Sequence, residues 1–572
     1  MCIRDRLAPA ERVEVAAGLD GLVRGKRRRR VRRQPIHLRS HHPVDNVAPP
    51  KRTLIWLVAA VLASAAGCSE ASETPVSDPS TGNSPTVELL GPERLTKPVA
   101  LGANARALRG SRVAAVSWFL DGRPLGSDTT KPYRLDIDPA LLPQGRHGLR
   151  VEAVDNLGRR SSTKPSDVTV EAAGSEIVDA SPGASFARAR RALARGDVTV
   201  RLAPGRYVVN ELRLGSGARL VGSGPETVLT PRPGARYWAL VVAKGKNIRI
   251  SDFALDGGGP PADEDGGIAI AVFDGSSDVR LQRLRITRVR TDGVNVWGAY
   301  SSVSVQDSQI ESDGGGEAGV VALGSDESRD TSVIRSRIRG FTSFGVILQQ
   351  QEHGRPAADL HGVVLDNVIS DIRDPSRDAC WTAAKYRTPG CGTNEGGIWT
   401  GGVEAAVIGN TVRRARWDGI ETVGSSTRTT VVRNKISDTR TGIYVEHSTH
   451  RSTFARNLIV DALVGINVEW WHEGAGSSRN TFAFNRIVRS KAGIVVDVGG
   501  DRNRIVGNTF VAGLRPSIVL QGSSHNVVRD NVGCGSRGDS LVEFSEARYD
   551  DGRRAVSRFN QLDRNRNKAS AC

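Results

Sequence analysis

The sequence predicts an all-β chain in which a long parallel β-helix, a solenoid of stacked coils, follows a small β-sandwich. Gly267, Gly293, Gly319 and Gly345 each open a phrase Gly-φ-x-φ (φ apolar) at intervals of 26 residues, and Gly397, Gly419, Gly442, Gly465 and Gly493 continue at 22, 23, 23 and 28. A second column, Asn410, Asn434, Asn457, Asn485, Asn508 and Asn531, runs in phase with the first. Two residue columns held in phase over several turns, with β-branched strands and no helical spacing between them, mark a parallel β-helix. Upstream, short alternating runs separated by turn residues between 87 and 172 have the spacing of a sandwich.

Residues 1–6, MCIRDR, read as the translation of a sequencing adaptor, and Met1 is the only methionine. The following stretch, including GKRRRRVRRQPIHLRSHHPVD, has no apolar periodicity. Residues 1–46 are therefore expected to be non-native read-through, which displaces the rival reading of the arginine run as a nucleic-acid or nuclear-localisation arm. Residues 47–67 have the form of an export signal: Lys51 and Arg52, the apolar run LIWLVAAVLASAA, then Ala65-Ala66-Gly67-Cys68. The run is too short to span a bilayer. The small residues before Cys68 resemble the lipobox of bacterial lipoproteins, which implies a diacylated Cys68 holding an exported protein to the cell envelope.

Trimming changes the charge argument. Residues 1–67 carry 14 Lys+Arg and 5 Asp+Glu, which leaves +8 of the chain's +17 for residues 68–572. So small an excess does not point to nucleic acid. Cys380, Cys391, Cys534 and Cys572 remain, an even number in an oxidising compartment, so disulfides are expected, and proximity favours 380 with 391 and 534 with 572.

Residues 68–86 are rich in Ser, Thr and Pro and read as a flexible tether. In the segment 87–172, VAAVSWFLDGRPLG predicts a hairpin turning at Asp121-Gly122. The phrases SWFLDGRPLG and GLRVEAVDNLGR resemble bacterial Ig-like domains, which implies a small Ig-like β-sandwich serving as a spacer. Residues 183–195 place Phe186, Ala189 and Leu193 on one face of a short helix, and APGRY follows. This entry resembles the N-terminal cap of the pectate-lyase-like superfamily, which implies a right-handed parallel β-helix over 173–572. The asparagines are expected to stack as an inward amide ladder at one corner. Insertions after Gln351, before Gly396 and after Trp470 are expected to emerge as loops over the binding face.

Within each Gly-φ-x-φ-x strand, alternation turns the φ side chains inward and the x side chains outward. One outward column then holds Asn295, Trp399, Glu421, Tyr444 and Asn467; the other holds Trp297, Gln349, Glu446, Glu469 and Asp497. Coils stack about 4.8 Å apart, so Glu446, Glu469 and Asp497 lie one above the next. Stacked carboxylates raise at least one pKa or demand a cation, which is the environment of a general acid. Glu421 is expected on a diagonal roughly 8 Å from Glu446, within the inverting range, while neighbours in one column would suit retention.

Trp297, Trp399, Trp417, Tyr444, Trp470 and Trp471, with His447 and His472, surround these acids, and flat rings beside acids and amides suit pyranose stacking. The expected function is a surface-tethered polysaccharide-active protein, a glycoside hydrolase with Glu446 and Glu469 as the acid/base pair and Glu421 and Asp497 in support. The alternatives are a non-catalytic carbohydrate-binding lipoprotein using the same aromatic face, or a uronate lyase or epimerase with Tyr444 or His447 as base. No cofactor is required. Ca²⁺ has weak candidates in Asp263, Glu264 and Asp265, and His447 and His472 do not match a zinc signature. Thr291-Asp292-Gly293 and Ser312-Asp313-Gly314 resemble the paired aspartates of polygalacturonase-type hydrolases, but the histidine and Arg-x-Lys motifs that should follow are missing, so that family is not assigned. A polysaccharide and the membrane are the expected partners of a monomer that takes no nucleic acid.

Overall fold

The computed structural model describes residues 84–108, 110–171, 177–259, 266–313, 315–325, 328–350, 361–373, 395–469, 476–513, 516–535, 541–548 and 554–568. Residues 1–67, expected to be read-through and an export signal, and Cys68 lie outside the described residues. So do Asp263, Glu264, Asp265, Cys380, Cys391, Trp470, Trp471, His472 and Cys572. Among the described residues no helix is long and apolar enough to cross a membrane.

The sandwich pairs a sheet of Thr86–Leu90, Val99–Arg106 and Arg134–Ile137 with a second built on Gly145–Asp155, Val113–Leu120 and Arg123–Asp128. Trp118, Leu101, Val116 and Val151 fill its core. The predicted hairpin turns at Asp121 (φ 50°) and Gly122 (φ 77°), the left-handed pair that a two-residue loop needs. A helix, Ala184–Arg195, then lays Phe186, Ala189 and Leu193 against the first coils, as its periodicity required.

The remainder is a right-handed parallel β-helix of three sheets. The first face runs from Ile177–Ala180 to Gln561–Asp563 in fifteen strands. The second runs from Gly205–Val208 to Arg566–Lys568 in fourteen, and the third from Leu212–Leu214 to Arg554–Val556, also in fourteen. One coil reads Thr430–Val432, Lys435–Ser437, Thr441–Val445, one short strand per face.

The glycine column lies on the third face and has a steric cause. A Cβ on Gly419, Gly442 or Gly465 would stand 2.5–2.6 Å from the carbonyl oxygen of the glycine one coil on, and 2.4–2.6 Å from the Cγ2 of Ile436, Ile459 or Ile487 across the core. Glycine lets the second-face isoleucines reach the third-face backbone.

The asparagine column forms the expected amide ladder. The Asn457 Oδ1 accepts from the backbone N–H and the Nδ2 of Asn434, both at 3.0 Å. Its own Nδ2 donates to the Val431 carbonyl at 2.9 Å and to Asn485 Oδ1 at 3.0 Å. The pattern runs from Asn367 through Asn410 to Asn531 and Asn565. A second ladder, at the turn that enters the first face, links Ser452, Asn480, Asn503, Asn526 and Asn560 through bonds of 2.8–2.9 Å from backbone N–H to the next Oδ1. The sequence reading did not find it. Cys534 is fully buried and disulfide-bonded, and the cysteine it pairs with is outside the described residues.

The sandwich is seated on the first face. Ala114, Ala115 and Val154 pack on outward Ile334, Leu365, Ile408 and Val432. Gln306 exchanges two hydrogen bonds with the Ser127 backbone (2.8 and 2.9 Å), and Arg335 donates to Ser117 and Ser127.

Two substitutions test these constraints. Gly442→Ala forces its Cβ onto a backbone carbonyl and should cost about 3 kcal/mol in denaturant unfolding, at the upper end for overpacking. Asn457→Ala orphans several buried groups and should cost about as much, whereas Arg489→Ala, removing an exposed pair with Asp461, should cost less than about 1 kcal/mol.

Candidate active site

The backbone register of the third face aligns Trp399, Glu421, Tyr444, Asn467 and Val495 in successive coils. Asn295, Val321 and Ile347 precede Trp399 in the same column. Glu446, Glu469 and Asp497 follow the strand ends, and each backbone N–H donates to a carbonyl one coil back (Thr422 at 3.0 Å, Val445 at 2.9 Å, Val468 at 2.8 Å). The carboxylates therefore stack as the period required.

Burial departs from the expected open outward face. Glu421 is 4% exposed, and Glu446 and Trp399 are each 7% exposed. Trp399 packs in an apolar cluster with Val321, Phe344 and Val423, and its ring nitrogen has no hydrogen-bond partner. Packing explains this tryptophan, so its expected presentation to a sugar is corrected to a buried platform beneath the acids.

Hydrogen bonds divide the acids into two kinds. The Tyr444 hydroxyl donates to Glu469 Oε2 at 2.7 Å, and Asn467 Nδ2 donates to the same oxygen at 3.1 Å. Burial pushes Glu446 up to about 7, against a hydrogen bond from Glu421. Burial, with the charges of Asp418 and Glu446, holds Glu421 well above the usual carboxylate range, and its carboxyl is hydrogen-bonded to that of Glu446. The expected 8 Å diagonal is thus overturned. The two side chains lean together, and protonated Glu421 donates to Glu446, a proton-sharing pair. His447, at φ 48°, places Nε2 3.4 Å from Glu446 Oε1. Asp497 accepts from the Val498 N–H at 2.7 Å, and burial raises its pKa.

Asp418 is the residue that sequence reasoning missed. It precedes Gly419 and reads as a turn aspartate, yet it is 3% exposed and one of its oxygens has no hydrogen-bond partner. Burial pushes it up to about 8, opposed by the Thr441 hydroxyl and Arg440 and aided by the charges of Glu446 and Glu469. The Arg440 guanidinium lies 3.8 Å over the Trp417 ring.

Asn295 and Trp297 do not join this cluster. Asn295 lies four coils before Glu421, roughly 19 Å at the coil spacing, and bonds Asp292 at 2.6 Å. Trp297 is 45% exposed and five coils before the level of Glu446. Burial pushes Asp292 up to about 7.

A family model described as periplasmic copper-binding protein (NosD) matches residues 328–515, and one described as bacterial Ig domain matches 85–151. The chain is a right-handed parallel β-helix carrying a bacterial Ig domain. No curated protein matches it. Among solved structures it resembles a family 28 exopolygalacturonase of Yersinia enterocolitica (11% identity, 86% of this chain and 100% of that one, TM-score 0.41). It also resembles the catalytic unit of a GH87 α-1,3-glucanase of Streptomyces thermodiastaticus (14%, 86% and 95%, TM-score 0.37). Fibronectin(III)-like modules of Clostridium thermocellum CbhA share 24% identity over 16% of this chain, which spans about half (48%) of theirs (TM-score 0.14). The registers of the β-helix, rather than these likenesses, define its acid stack.

Copper does not fit this site. Among the described residues no group of three or more His, Cys, Asp or Glu is placed to hold a metal ion, and the cluster offers carboxylates where copper prefers imidazole and thiolate.

The acid cluster makes stability depend on pH. Between the ordinary values of 3.8 and 4.5 and the raised values of about 8 and about 7, the native state keeps protons on Asp418 and Glu446 that the unfolded chain has released. Stability therefore falls as pH rises through that window. The wild-type Tm should drop from about pH 5 to about pH 8, and Glu446→Gln should flatten the drop; an unchanged slope would show that Glu446 titrates normally.

Proposed function

We propose that this chain is an exported polysaccharide-active protein that hydrolyses glycosidic bonds on the third face of its β-helix. One observation carries the reading: two buried carboxyls one coil apart, Glu421 and Glu446, share a proton, and the next coil holds Glu469, whose Oε2 accepts from the Tyr444 hydroxyl and Asn467 Nδ2. Glycosidic cleavage needs a division of labour, an acid to protonate the leaving oxygen and an ionised partner to activate water or attack the anomeric carbon. Glu421 and Asp418 keep the field around Glu446 proton-rich, and Asp497 extends the stack. His447, Trp470, Trp471 and His472 flank the acids in sequence and complete the proposed sugar contacts. Anchoring through Cys68 would keep a monomeric enzyme at the cell envelope, beside its glycan.

Lyase or epimerase chemistry fits less well. Its base would be Tyr444 or His447: burial and the neighbouring acids keep Tyr444 well above the usual phenol value and its hydroxyl is committed to Glu469, while His447 Nε2 lies 3.4 Å from Glu446 Oε1. The acid stack also repels a uronate.

A glycan panel read for new reducing ends and for unsaturated products, with and without Ca²⁺, separates hydrolase, lyase and binder. Hydrolysis is expected, with Glu446→Gln and Glu469→Gln each lowering kcat by about 10²-fold or more while glycan binding persists. Binding without cleavage of any glycan by the parent protein would leave the site a carbohydrate-binding face.

A further inference from the structure

The second face of the β-helix carries charge that the proposed chemistry does not use. Its first outward column runs in register through eleven coils, from Arg285 to Arg566, and holds Arg285, Arg337, Lys435, Arg486 and Arg566 with no carboxylate. The second column adds exposed Arg413 and the pair Arg339–Glu311 (3.2 Å). Seven cations against one carboxylate leave six net positive charges here, when the whole of residues 68–572 carries +8. The chain's positive excess is therefore concentrated on one side.

The turns that leave this face are different. There Arg288 bridges Asp256, Arg414 bridges Asp371 and Arg489 bridges Asp461, each between adjacent coils. Arg285, Arg337, Lys435 and Arg486 are exposed and make no ion pair among the described residues. A face that only needed solubility would be served by the mixed charges of those turns, because like charges two or three coils apart in one column repel.

The shape of the face narrows the partner. The turns entering it, such as Arg433-Asn434 and Arg456-Asn457, are two residues long, and the sandwich borders that edge at Asp366, which pairs with Arg160 at 2.7 Å. The two columns contain no aromatic residue and run for roughly 48 Å at the coil spacing. A single glycan strand is held by a groove and by rings, both of which belong to the third face. A ring-free row of cations suits a surface bearing anionic headgroups. We infer that the second face, through Arg285, Arg337, Lys435 and Arg486, docks on the anionic phosphate headgroups of a membrane.

The test uses the full chain, in which the N-terminal segment contributes equally to every variant. Sedimentation is measured with vesicles of phosphatidylcholine alone and of phosphatidylcholine with phosphatidylglycerol. Replacing Arg285, Arg337, Lys435 and Arg486 together by Gln should lower the partition onto phosphatidylglycerol vesicles by at least about tenfold, since each cation near an anionic surface is worth about fivefold. Salt should erase the difference between that variant and the wild type. Arg→Lys at the three arginines should keep the binding, and circular dichroism confirms the fold of each variant. A control replacing Arg188, Arg190, Arg191 and Arg195 on the helix removes the same charge elsewhere and should bind as wild type. Equal loss in that control, or none in the face variant, overturns the inference. So does dependence of polygalacturonate binding on these cations while vesicle binding is untouched, which would make the face a glycan site.

Discussion

A backbone carbonyl standing 2.5–2.6 Å from where a side chain would begin is the contact on which the rest of this structure turns. Only glycine satisfies it, coil after coil, and the isoleucines of the second face fill the space so released. Because side chains alternate along a strand, fixing the glycine fixes what points where: two positions on, Glu421, Tyr444 and Asn467 fall into one column, and the next outward position gives Glu446 and Glu469. A slip of one residue would turn every one of these acids into the core. The chemistry of the third face is thus a consequence of packing on the opposite side of the same strands.

The three faces then diverge in what covers them. The first is apolar where the sandwich sits on Ile334, Leu365, Ile408 and Val432, so the Ig domain, expected as a spacer, is fixed in place by its own contacts. The second is basic. The third is acidic at Glu421, Glu446 and Glu469, and apolar on the coils before them, at Trp399 one coil and Val321 three coils ahead of Glu421. A solenoid can hold such different surfaces because each coil contacts only its neighbours, leaving the outward positions to be varied coil by coil.

Much of this was legible in the sequence because period is a strong signal. The glycine and asparagine columns, the helix before the first coil and the Asp121-Gly122 hairpin all repeat or punctuate in ways that backbone geometry dictates. The second asparagine ladder escaped because its first rung is Ser452, so the column does not read as asparagine from the start. Asp418 escaped because Asp-Gly is also the commonest kind of turn. Asn295 and Trp297 were placed in the right columns but assigned to the wrong neighbourhood, since a column says nothing of distance along the axis until the coils between are counted. Glu421 and Glu446 lean together because side chains have reach that Cα spacing ignores.

Gathering Asp418, Glu421 and Glu446 is a cost that the fold has to offset. Burying them favours their neutral forms, and each carboxyl then keeps its proton to a higher pH than water would allow. The amide ladder at the far corner of the same coils supplies what this corner lacks: every donor and acceptor of Asn434 and Asn457 is answered in place. A coil whose turn is that fully satisfied can tolerate an acid without a partner on another face, because losing the acid's solvation does not open the ladder. The division between a satisfied corner and a strained one is what lets a rigid scaffold keep a carboxyl protonated near neutral pH, which a general acid requires.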